Sequence, residues 1–245
     1  MESDKNTTNL TIKTRGKPHS PLKPYFNEHT SFEIGIDEAG RGPLFGRVYV
    51  AAVILPKEPE LFHHEWMRDS KQIKSIKKMN ELANYIKANA LSWSITYAEA
   101  DEIDNQNILN CVIRCMHKCC NEIFSKIDRK YSGDGLLLVD GNYFRPYMHF
   151  DAVSETFVNI PHETVEKGDG KYSSIAAASI LAKHARDSYI ADLCVQYPVL
   201  AERYSLDKNM GYGTKAHIEG IHTYGITQYH RKTFNICRGE RETIL

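Results

Sequence analysis

Ile34-Gly-Ile-Asp-Glu-Ala-Gly-Arg-Gly-Pro43 sets two adjacent acids, Asp37 and Glu38, at the end of an apolar run and follows them with a Gly-Arg-Gly turn. Neighbouring carboxylates at the edge of a core raise each other's pKa, and a bound cation is the usual means of keeping both ionised. The turn asks for a different ligand. Gly40 and Gly42 leave the backbone free for positive φ and close approach, while Arg41 between them offers a forked donor suited to phosphate. A metal and a phosphate in one segment point to phosphoryl chemistry.

Working outward, the apolar runs Phe32 to Ile36 and Val48 to Leu55 flank this turn and read as antiparallel neighbouring strands. Asp69 or Ser70 is placed to cap a helix running to about Lys87, Leu91 to Tyr97 alternates as a strand, and Ile103 to Ile127 reads as helix. Leu136 to Val139 is a short apolar strand ending at Asp140; Val153 to Val158 and Thr164 to Val165 read as hairpin or edge strands. Ser173 to Tyr197 reads as a long helix whose Ala176, Ala177, Ala178 and Ser179 permit close approach to a sheet. Strands mixed with helices predict an α/β domain with a central mixed sheet flanked by helices. Smaller helices around Thr214 to Tyr224 would add a small C-terminal helical subdomain facing the substrate. Residues 1–30, with Pro18, Ser20, Pro21 and Pro24 and no periodic apolar pattern, read as a flexible extension. The divisions expected are therefore 1–30, 31–200 and 201–245.

A hydrophobic content of 42% and a charged content of 25% are those of an ordinary globular protein. The longest apolar runs fall far short of the ~20 residues that span a bilayer, and the N-terminus lacks a signal-like apolar centre, so a cytoplasmic protein with no membrane partner is expected. Cys111, Cys115 and Cys119 would share one helical face; packed thiols explain them better than a soft-metal site, because no ligating pair answers them elsewhere. The net charge of zero argues against a protein that coats nucleic acid indiscriminately. A local basic surface is still expected, since Arg203 to Arg238 carries six Lys or Arg against Asp207 and Glu219.

Asp37 and Asp140 each close a predicted strand, where crevices form in open α/β sheets, and they meet if those strands are neighbours. Glu38 faces away in a regular strand and can join them only if the strand ends or bulges at Ala39-Gly40. Asp169 precedes the helix that opens near Ser173, whose N-terminus would favour the ionised form. Each has a plainer reading: Asp140 before Gly141-Asn142, and Asp169 between glycines, are ordinary turn residues. An all-carboxylate set suits a hard divalent ion, Mg2+ or Mn2+, better than zinc. Asp187, deep in a predicted helix, is expected to pair with Lys183 or Arg186 and stays outside the set.

Asp37-Glu38-Ala-Gly40-Arg41-Gly42-Pro43-Leu-Phe-Gly46 resembles the opening motif of ribonuclease HII, the prokaryotic type 2 ribonuclease H. Four further stretches match in the same order: Asp69-Ser70-Lys71, Val139-Asp140-Gly141-Asn142, Lys167-Gly168-Asp169 with the run Ile175 to Asp187, and Gly211-Tyr212-Gly213-Thr214 with His217. The resemblance covers about Phe32 to about Phe234. It implies a ribonuclease H-like fold and a metal-dependent endonuclease acting on the RNA strand of RNA–DNA hybrids and on single ribonucleotides in duplex DNA, leaving 5′-phosphate and 3′-hydroxyl ends. It further implies two Mg2+ or Mn2+ ions held by Asp37, Glu38, Asp140 and Asp169, in a monomer.

Substrate contact by Gly40, Arg41 and Gly42 at the ribonucleotide, and by Tyr212 at the junction with the following deoxynucleotide, is implied in the same way. Lys71 and Asn142, inside motifs, are the leading phosphate contacts, ahead of Lys183, Arg186, Lys215 and the His230-Arg231-Lys232 cluster. Tyr143-Phe144 separate Arg145 from Asp-Gly-Asn, a departure from the family pattern that weakens Arg145 as a contact. Ribonuclease HIII shares the chemistry but usually carries Lys at the place of Arg41 and an N-terminal domain for which 30 residues are too few. A non-catalytic nucleic-acid clamp would lack one of the four acids, and all four are present.

Overall fold

The computed structural model describes residues 21–127, 135–151 and 155–245. A five-stranded sheet in the order β3-β2-β1-β4-β7 is its centre. Strands β1 (Phe32–Ala39), β2 (Val48–Ile54) and β3 (Ser92–Ala98) form an antiparallel meander, and β4 (Gly135–Asp140) and β7 (His162–Val165) run parallel to β1. The mixed sheet is thus as expected, and the edge strand at Thr164 and Val165 belongs to it.

Alternation along the strands sorts their side chains into two cores. Phe32, Ile34, Ile36, Val48, Val50, Ala52, Leu137 and Val139 pack on α3 (Ile108–Phe124), including its buried Cys111, Cys115, Cys119 and Cys120. Tyr49, Ala51 and Val53 pack the opposite face against α1 (Ile76–Asn89) and α4 (Ser173–Gln196). The cysteines are therefore core thiols, and burial pushes that of Cys119 up to about 11. The approach of α4 is extreme at Gly35, where a Cβ would lie 2.2 Å from the Ser174 carbonyl carbon. Only glycine fits there.

Two helix boundaries differ from the sequence expectation, each for a local capping reason. Asp69 caps only the short 3-10 turn Ser70–Gln72, accepting the Lys71 amide at 2.8 Å, and Ser75 caps α1, which starts at Ile76. The continuous helix expected over Ile103 to Ile127 is broken into α2 (Ala100–Gln106) and α3 at Asn107, whose φ of 63° and side-chain bond to the Asn110 amide begin the second helix. The hairpin consists of β5 (Tyr147–Asp151) and β6 (Thr156–Ile160); of the run expected over Val153 to Val158, residues 153–154 lie outside the described residues. Helices α5 (Val199–Tyr204), α6 (Leu206–Asn209) and α7 (Lys215–Tyr224) share a third core with Leu44, Phe45 and the end of α4. Among the described residues no helix is long and apolar enough to cross a membrane.

Residues 1–20 of the expected extension lie outside the described residues. Residues 21–30 are docked: Lys23 exchanges backbone bonds with Lys171 and Ser173, the amides of Phe26 and Asn27 donate to the buried Glu33 carboxylate at 2.6–3.0 Å, and Lys57 Nζ binds the Thr30 carbonyl. A chain beginning at residue 31 should therefore melt roughly 3–8 °C below one beginning at residue 21. Equal melting temperatures would show that these bonds contribute nothing.

Candidate active site

The register of β1 against β4 decides the site. Gly35 lies beside Leu138 and Ile36 beside Val139, so the next pair along the ladder is Asp37 and Asp140. Both project toward α4, because Gly35 abuts Ser174 and the Leu138 side chain packs on Ile175. Asp140 ends its strand, Gly141 turning away with φ of 96°. A cleft of about 240 Å3 opens there, lined by Asp37, Glu38, Asp140, Arg41, Lys71, Ser179 and Tyr212 among others.

Asp37 is buried, and its partners are neutral donors: the Glu38 amide at 2.7 Å and the Ser179 hydroxyl. Ser70 Oγ lies 2.9 Å from Ser179 Oγ, so a short hydroxyl chain ends on the carboxylate. Burial first, then the charges of Glu38 and Asp140, hold the Asp37 carboxyl well above the ordinary range. Asp140 Oδ1 accepts the Gly168 amide at 2.6 Å. Neither bond neutralises a charge.

Glu38 joins the cleft where β1 runs out: its pairing with Val50 and that of Ala39 with Tyr49 keep the register, the strand ends at Ala39, and Gly40 turns the chain with φ of 100°. β4 has already ended on that flank, and Arg41 Nη1 meets the Glu38 carboxylate at 3.3 Å. Burial raises its pKa, against the pull of Arg41.

Asp169 sits in the 3-10 turn Gly168–Gly170 ahead of α4, 3.4 Å from Lys71 Nζ. Burial raises its carboxyl pKa, Lys71 pulling it down and Asp140 adding to the rise. Asp187 takes Lys183 at 2.6 Å, as expected, and stays at the cleft rim.

The Gly-Arg-Gly loop and the Tyr212 turn form one exposed ridge over this cleft. Gly40 adopts φ of 100°, and a Cβ there would strike Arg186 Nε at 2.4 Å; the Tyr212 ring lies against Gly42. Arg41 and Gly42 are exposed, and half of Tyr212 is open to solvent. Asn142 is exposed in the turn after Asp140.

The phosphate candidates at the C-terminal end fare differently. Arg231 is fully buried and donates to the carbonyls of Gly40, Arg41, Pro43 and Gly46 at 2.7–3.1 Å, so it shapes the loop from beneath and cannot meet a phosphate. His230 is buried as well, and Lys232 pairs with Glu242. Arg186, likewise buried, donates to the Met210 carbonyl at 2.7 Å. Arg145 bonds Asn110 and Tyr143. Ser70 and Ser179 are site residues marked in the sequence only by their placement inside matched motifs, and Arg231, a phosphate candidate by sequence, is instead a donor to backbone carbonyls.

A divalent ion fits the donor set by its chemistry. Among the described residues no three acids or histidines are gathered into a closed metal-holding group. Hard cations that retain several waters need only one or two carboxylates each, and the mutual repulsion at Asp37, Glu38 and Asp140 is what such a cation relieves.

Asp37→Asn should therefore raise the melting temperature of the metal-free protein by roughly 2–5 °C at about pH 8. A raised carboxyl pKa starts to cost stability where the unfolded chain ionises, at about pH 4, and costs most once the folded group must ionise too, so the gain should disappear below about pH 4. Thermal melts across pH check this, and a destabilised variant at pH 8 would refute it.

A family model described as ribonuclease HII matches residues 34–237. Ribonuclease HII of Parabacteroides distasonis is 45% identical over 215 residues, covering 88% of this chain and 95% of that protein. The crystal structure of ribonuclease H2 from Pyrococcus horikoshii OT3 superimposes with a TM-score of 0.65 at 22% identity, over 84% of this chain and 95% of that one. That of Bst-RNase HIII in complex with Mn2+ superimposes with a TM-score of 0.52 at 15% identity, over 83% of this chain and 71% of that one. The two structures speak to the fold alone.

Proposed function

The chain belongs to the ribonuclease HII family and is thereby an endoribonuclease of the ribonuclease H type acting on RNA–DNA hybrids; we propose that it also cuts at single ribonucleotides embedded in duplex DNA, leaving 5′-phosphate and 3′-hydroxyl ends. The observation that carries this reading is the meeting of Asp37 and Asp140 at the ends of parallel neighbours, directly below the ridge of Arg41, Gly42 and Tyr212.

Mg2+ or Mn2+, taken up as two ions, would supply activation of the attacking water and steady the leaving oxygen. Asp37 and Asp140 are the central ligands on this reading, and Glu38 and Asp169 complete the set. The all-carboxylate donor set supports the choice of a hard divalent ion. Lys71, poised at Asp169, and Asn142, beyond Asp140, take phosphate oxygens of the substrate backbone.

The 2′-hydroxyl is what marks a ribonucleotide, and it needs donors and acceptors brought close. The exposed backbone at Arg41 and Gly42 offers main-chain groups, with the carbonyls of Gly40 and Arg41 already held by Arg231. Tyr212, with its ring exposed against Gly42, packs on the sugar at the junction with the following deoxynucleotide. A monomer working in the cytoplasm belongs to the same proposal.

The test is incubation with Mn2+ or Mg2+ of a duplex carrying one ribonucleotide, a continuous hybrid and an all-DNA control. Cleavage of the first two and not the third is expected. Asp140→Asn should lose at least about a thousandfold in turnover while still binding the duplex; near-normal turnover at saturating metal would overturn the metal assignment.

Tyr212 has its own readout. Tyr212→Phe should keep most activity and Tyr212→Ala should lose far more, chiefly on the single-ribonucleotide duplex, because a neutral hydroxyl bond is worth only about 1 kcal/mol net. Equal losses on both substrates would make Tyr212 a generic contact.

A further inference from the structure

His217 and His230 are the least explained polar residues near the ridge. Both are fully buried, and their Nε2 atoms stand 3.2 Å apart. Their outer nitrogens settle which carries each proton. The Thr227 amide donates to His230 Nδ1 at 2.9 Å, and the Thr227 hydroxyl lies 3.0 Å from the same atom. His230 Nδ1 must therefore be unprotonated, which puts the ring hydrogen on Nε2 and directs it at His217 Nε2. His217 Nε2 is then the acceptor, so its hydrogen is on Nδ1 and points at the Tyr212 carbonyl 3.0 Å away.

Every nitrogen in this chain has one consistent role. A proton added to either ring would set two donors against each other, and among the described residues no carboxylate hydrogen-bonds either ring to compensate. Burial, with the neighbouring histidine, presses His230 down to about 3, and burial lowers His217 too. Tyr204 packs edge to face on both imidazoles, and Phe45 does so on His230.

The chain ends on the turn that carries Tyr212, and it begins one residue from Arg231, which gathers the carbonyls of the Gly-Arg-Gly loop. We infer that His230 and His217 form a neutral, tautomer-locked relay that positions the Tyr212 turn against the loop held by Arg231, making both histidines positioning residues for recognition of the ribonucleotide junction. The recognition role rests on the reading of Tyr212 given above; the relay itself is a property of the fold. A merely space-filling pair would need no particular tautomers.

Two measurements test this. Nitrogen-15 NMR of the imidazoles in the full-length protein should show His230 as the Nε2–H tautomer and His217 as the Nδ1–H tautomer, both neutral from about pH 5 to about pH 8. A charged ring or the reverse tautomers would overturn the relay.

The second measurement compares His217→Leu with His217→Asn, whose amide can still donate near the Nδ1 position. Leu should reduce kcat/KM on the single-ribonucleotide duplex about tenfold, and Asn should restore most of it. In a Tyr212→Ala background the Leu change should cost nothing more, because the residue it positions is gone. Full additivity of the two losses would overturn the positioning role even with the expected tautomers. If Tyr212→Ala alone left cleavage intact, the reading of Tyr212 would fail and the positioning role with it, while the tautomers would still decide the relay.

Discussion

The seating of α4 on β1 at Gly35 is the contact on which the rest depends. A side chain at that position would occupy the Ser174 backbone, so the helix and strand approach more closely than any other residue would permit. Ala176, Ala177 and Ala178 continue the approach without bulk. In consequence Ser179 reaches Asp37, and the turn before the helix lays the Gly168 amide on Asp140. A helix set further out would leave both carboxylates in water and the cleft without a floor.

That arrangement stores an electrostatic cost at one end of the sheet. Asp37, Glu38 and Asp169 are all raised by burial, and the nearest cations, Arg41 and Lys71, meet the outer two. The apolar faces beneath α3 and α4 supply stability away from the cleft, so the fold can carry a strained group of acids at its edge. Function and stability are separated along the strand: the middle of β1 packs, and its last residues bind.

The ridge above the acids is assembled from chain segments far apart in sequence. Arg231 draws four carbonyls of the first loop together, and the imidazoles next to it fix the turn of Tyr212. Charged and polar groups buried in this way are costly unless their bonds are fulfilled, and here they are spent on holding backbone that has little side-chain bulk of its own. Glycine makes the loop permissive. The buried arginine makes it rigid.

By itself the sequence determined the layered α/β class, the strand end at Asp140, the long small-residue helix, and the family, because periodicity, turn residues and motif order are properties of local segments; β1 runs two residues past Asp37, to Ala39. It marked the acids and Tyr212 as well. It did not determine that α3 starts at Asn107 or that residues 21–30 dock, since a side-chain cap and a buried Glu33 decide these against local pattern. For Glu38 it stated only the condition, a strand ending at Ala39-Gly40, and the ends of β1 and β4 decided that the condition holds. Arg231 read as a surface cation, because a guanidinium that binds phosphate and one that binds carbonyls look alike in one dimension. Only the tertiary structure, by bringing Gly40 and Arg231 together across 191 positions, decided which it is.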